Sequence, residues 1–91
     1  MSADMKALLE VLRATRQQVE ENIVLDIARD DEGNDFHVIR DNLAPHGQRV
    51  LYREQVDIYP ASNKVAEARL KDLRDRRIIL AILAAAGVMQ E

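Results

Sequence analysis

The sequence predicts a small α+β domain: two long amphipathic helices and a small antiparallel sheet, in the order α-β-β-β-α. Three observations carry that prediction. Apolar residues recur at helical spacing at both ends of the chain, they alternate every second residue in between, and turn-forming residues separate the alternating stretches. The alternative is a mostly helical chain with one β-hairpin.

The first helix is predicted over about residues 3–22. Met5, Leu8, Leu9, Leu12, Val19 and Ile23 fall within one arc of roughly 100° on a helical wheel. Ser2 or Asp4 suits the N-cap, and Asp4 also complements the positive end of the helix dipole. Past Asn22 the period changes. Ile23, Leu25 and Ile27 alternate with Val24, Asp26 and Ala28, and β-branched residues at period two predict a strand over about 23–30. A rival reading carries the helix on to Asp30, with Gly33 as its stop.

"DDEGND", Asp30 to Asp35, is turn chemistry: acids that hydrogen-bond nearby backbone, with Gly33 and Asn34 tolerant of positive φ. "FHVIR" then returns as a strand over about 35–40, which makes a hairpin. "DNLAPHGQ" is a loop punctuated by Pro45 and Gly47. A third strand is predicted over about 49–59. Val50, Tyr52, Val56 and Ile58 lie on one face of it, Glu54 is the exception on that face, and Pro60 ends it.

The last helix is predicted over about 61–86, capped by Ser62 or Asn63 and stopped by Gly87. Ala66, Leu70, Leu73, Leu80 and Ala84 share an arc of about 80° on its wheel, the expected face for packing on the sheet and the first helix. Lys71, Asp72 and Asp75 occupy the opposite side. Past Arg77 that opposite side turns apolar, with Ile78, Ile79, Ile82 and Leu83 where charges stood two turns earlier. Left in water, each would forgo roughly 1.5–3 kcal/mol relative to burial. A contact surface of Ile78, Ile79, Ile82 and Leu83, rimmed by Arg76, is therefore expected for a second copy or another protein.

Composition narrows the function classes. With 91 residues, 47% apolar and 32% charged, the chain reads as one folded domain over residues 1–91. There is no cysteine, so disulfides and thiolate metal sites are excluded. The opening MSADMKALLE lacks the apolar core of a signal peptide, and the uncharged run from Ile78 to Met89 spans twelve residues against the roughly 20 a membrane span needs. A cytoplasmic protein without membrane contact is expected.

Charge is uneven. Residues 1–35 carry four bases and nine acids, and residues 64–91 carry six bases and four acids. Such a chain can pair its own elements or a second copy. Lys71, Arg74, Arg76 and Arg77 are the candidate phosphate contacts of a nucleic-acid-binding alternative, although Glu67, Asp72 and Asp75 interleave them. Asp26, Asp30, Asp31, Glu32 and Asp35 form an acidic segment that an inhibitor or adaptor would dock on a basic partner.

Catalytic and metal chemistry finds no pattern. His37 and His46 read as strand and loop histidines, because nothing in their spacing brings a nucleophile or carboxylate to either. Aligning Gly33 with the glycine of a calcium-binding EF-hand loop puts Ala28 and Ile39 where acids are required. No cofactor or enzymatic activity is expected. The expected function is that of a small interaction or regulatory protein, acting through protein–protein contacts as a homodimer or assembly subunit.

Overall fold

The chain folds as the α+β order predicts. The computed structural model describes residues 3–57 and 61–90, and the side chains of 3–57 and 62–87. Helix α1 (Ala3–Asn22) leads into strands β1 (Ile23–Arg29), β2 (Asp35–Asp41) and β3 (Val50–Gln55), and helix α2 (Ala61–Gln90) closes the fold. The sheet is antiparallel with β2 in the centre. Ile58, Tyr59 and Pro60, expected to finish the third strand, lie outside the described residues.

Register explains how the sheet divides its faces. Leu25, Ile39 and Tyr52 stand in line across the three strands, as do Ile27, His37 and Glu54. Residues directly opposite share a face, so these sets point to the same side. That side meets the helices: Ile39 joins Val19 and Ile23 in the buried core, with Leu25, Tyr52, Leu70, Leu73 and Ile78 packed around them. The other side holds Val38 between Asp26 and Arg53. Arg53 stacks on Phe36 at 3.8 Å, and Arg40 reaches Asp26 at 3.9 Å. Beneath these side chains Val38 is only 3% exposed.

A register shift between Ile39 and Arg40 leaves Leu51 unpaired, since Ile39 faces Tyr52 and Arg40 faces Val50. The bulge takes Val50 off the face of Tyr52, where plain alternation had placed it, and Val50 is exposed. Glu54 lies opposite His37 on the edge strand, exposed to water.

Both turns are built as their residues suggest. The Asp30 carboxylate accepts from the Glu32 and Asn34 backbone N–H groups at 3.0 and 2.8 Å, and Gly33 takes φ +85°. In the longer turn, Asp41 Oδ1 accepts from Leu43 N–H at 3.0 Å, and Gly47 takes φ +95°. Asp41 N–H donates to Arg49 O at 2.7 Å and closes that loop at its base.

Helix α2 departs from expectation in two ways. It does not stop at Gly87 but runs on to Gln90, and Gly87 is not in the left-handed region that a terminating glycine adopts. Its buried face also rotates. Ser62, Ala66, Leu70, Arg74, Ile78, Ile82 and Ala86, each four residues on, are buried or half-buried, with Leu73, Ala81 and Ala85 beside them. A row at spacing four winds about 40° further round the helix at every step, being inclined to its axis. The helix therefore turns one side to the sheet at its start and a different side to α1 near its end. Leu80 and Ala84, expected on the packing face, are exposed as a result.

Candidate functional site

Beside the sheet the two helices pack on each other, with Asp41 and Leu43 reaching the near end of their seam. Thr15 and Val19 lie beside Arg77 and Ala81 around one small cavity, while Arg16 and Glu20 face Leu70, Arg74 and Ile78 across another. Advancing along α2 thus means going back along α1, so the two helices run antiparallel. Among the described residues, only helix residues line the grooves on the other side of that seam. Met5, Leu9, Ile79, Leu80 and Leu83 are 51, 40, 55, 63 and 61% exposed in consequence.

Four of these five share one side of the helix pair. Leu9, Leu12, Arg16 and Glu20 line a shallow groove on α1, and Arg16 and Glu20 also line the neighbouring groove, of about 470 Å³, that Ile78 and Ile79 enter from α2. On helical geometry Met5 lies on the side of Leu9 and Leu12, and Leu83 on the side of Ile79. The floor nearer the sheet is Val19, Leu70 and Ile78, and its walls are Arg16, Glu20, Glu67, Lys71 and Asp75. Both signs of charge alternate along those walls.

The residues expected to form a contact surface are therefore divided. Ile79 and Leu83 are exposed, Ile82 is half-buried, and Ile78 packs against the core. Arg76 is exposed and pairs with Asp72 at 3.4 Å. Met5 and Leu9 join the surface although their spacing marks them as core. Their periodicity was sound evidence for an apolar face but not for what covers it.

The candidate phosphate contacts are likewise divided. Lys71 is exposed on the groove wall. Arg74 turns inward, its Nε donating to Ile23 O at 2.9 Å and its Nη2 to Glu20 O at 3.2 Å. Glu20 O lies in the last turn of α1, where a helix leaves acceptors without partners, and Ile23 O opens β1. Arg77 Nη2 donates to Asp41 Oδ2 at 2.8 Å, and Asp41 is 2% exposed. With Arg76 paired to Asp72, three of the four cations are thus engaged within the protomer.

The acidic segment is mostly occupied by its own turn and strands. Asp30 holds the turn, Asp35 pairs with Arg29 at 2.9 Å, and Asp26 faces Arg40. Backbone hydrogen bonds from Asn34 hold the Asp30 carboxyl below its ordinary value, and the hydrogen bond from Arg29 does the same for Asp35. Asp31 and Glu32 are exposed.

His37 is buried, with Nε2 3.4 Å from Ser62 Oγ, and that oxygen accepts from Asp57 N–H at 3.2 Å. The contact ties the start of α2 to the central strand. His46 is exposed in the 42–49 loop. Among the described residues no three acidic or histidine side chains are grouped to hold a metal ion, and no helix is long and apolar enough to cross a membrane.

Comparison with protein-family models, with curated proteins and with solved structures gave no match.

Proposed function

We propose that this chain is a small, non-enzymatic interaction protein of the cytoplasm, working as a homodimer or assembly subunit through the free end of its helical hairpin. One observation carries the reading. Met5, Leu9, Ile79 and Leu83 stand exposed on one side of the helix pair. Isolated exposed apolar residues are ordinary on protein surfaces, and Ile27, Leu43 and Val65 are of that kind here. A group of such residues side by side on one face is the mark of a contact surface.

The nucleic-acid reading has less support, because Arg74 and Arg77 make their hydrogen bonds inside the protomer and Arg76 pairs with Asp72. Docking through the acidic segment would fall chiefly on Asp31 and Glu32.

Replacing Ile79 and Leu83 with aspartate tests the reading. Both are exposed, so the variant is expected to stay folded as a monomer. It is also expected to lose whatever assembly the wild-type chain forms. Unfolding of the variant would return the two residues to the core and sink the proposal, as would an assembly that survives in a folded variant.

A further inference from the structure

We infer that the partner covering this face is a second copy of the same chain, the two hairpin ends packing side by side as a two-fold four-helix bundle. The inference rests on the proposal that the hairpin end is a contact surface, and two quantities commit it to a self-partner.

The first is area. The chain exposes 6961 Å², whereas a compact monomer of 10.4 kDa exposes about 5,400 Å². The surplus is roughly 1,600 Å² per chain, about twice what one partner gives to a standard interface and within the range of obligate homodimers. Shape agrees: the radius of gyration is 16.6 Å against about 12 Å for a compact chain of this length, and the extents are 55 × 28 × 17 Å. A flat, elongated subunit of this kind gains most by laying its long side against an equal.

The second is charge. Residues 3–14 carry two acids and two bases, and residues 78–90 carry no charge at all. Nearer the sheet, Arg16, Glu20, Glu67, Lys71 and Asp75 contribute both signs to the groove walls. In an isologous dimer every patch meets its own copy, so a face of one sign would repel itself. This face has no such sign. A strongly basic or acidic partner has no counter-field to find on the apolar end, whereas an identical face offers apolar surface to the apolar tip and mixed charges to the mixed walls.

Sedimentation of the purified full chain, alone, tests this directly. The expected result is a mass twice 10.4 kDa. Leu9→Asp/Ile79→Asp should leave the circular dichroism of a folded chain and weaken dimerisation by at least about 100-fold. A dimer indifferent to that variant overturns the inference, because another face then holds the copies together. A strict monomer at high micromolar concentration overturns it too, and the dye 1-anilinonaphthalene-8-sulfonate separates the two ways this can happen. A monomer that binds the dye, and loses it in the double variant, keeps its contact surface but takes a different protein. A monomer that never binds the dye has no such surface, and the functional proposal falls with the inference.

Discussion

Removing the carboxylate of Asp41 would take the acceptor from both the Leu43 N–H and the Arg77 guanidinium. A broken pair that is fully buried costs about 3–5 kcal/mol, and Arg77 is half exposed, so Asp41→Ala should cost about 2–3 kcal/mol in urea unfolding. Its importance was not legible from "DNLAPHGQ", where Asp41 reads as the first residue of a loop. What singles it out is a partner on α2, 36 residues later, and sequence spacing carries no information on that meeting. Asp30 was legible, because its turn chemistry is local. It also fixes a pH dependence. The folded chain holds the Asp30 and Asp35 carboxyls below their ordinary value of 3.8, so it binds fewer protons there than the unfolded chain. Their contribution to stability is complete above that value and is lost as pH falls through the lowered ones. Asp30→Asn should therefore flatten the fall of stability with acid below about pH 4, measured as the urea midpoint across a pH series.

At the scale of elements, α1 ends without a capping glycine and relies on its neighbours. Asn42 N–H donates to Asn22 O at 2.9 Å, and Arg74 serves the carbonyls of Glu20 and Ile23. Arg74→Ala should cost about 1–2 kcal/mol and speed amide exchange over the last turn of α1 and the first residues of β1, which hydrogen-exchange measurements would show. The boundary between those elements was legible, since the apolar period changes from 3.6 to 2 at Ile23 and side chains obey the two periods in either environment. The hairpin was legible for the same reason. The end of α2 was not. A glycine weakens a helix by about 1 kcal/mol relative to alanine, and a helix already supported along its length absorbs that. Nor was the rotation of its buried face legible. A wheel drawn at fixed azimuth assumes that one neighbour accompanies the helix throughout, whereas α2 leaves the sheet and continues along α1. That is why Leu80 was assigned to the packing face and Ile78 to the open one, and each does the reverse.

Taken whole, the molecule is a sheet-backed platform from which a two-helix arm extends. Its apolar surplus was visible in the sequence among the side chains crowded after Arg77, of which Ile79 and Leu83 are the exposed ones. Met5 and Leu9 belonged to the same surplus but were hidden within a regular stripe. The proposed dimer has a thermodynamic signature at this scale: the thermal midpoint of the wild-type chain should rise with protein concentration, and that of Leu9→Asp/Ile79→Asp should not. Differential scanning at several concentrations reads both. The platform and the arm meet where Asn22, the last residue of α1, is followed at once by Ile23, the first of β1. No linker residue lies between them, so the helix and the strand share a single phase. One residue inserted there would turn the arm by about 100° or exchange the two sides of β1. The 42–49 turn has no such coupling, and a short glycine–serine insert after Gly47 should leave a folded chain by circular dichroism where the same insert after Asn22 does not. The chain can grow at its loop, but at that seam its length is fixed, and with it the direction in which the arm points.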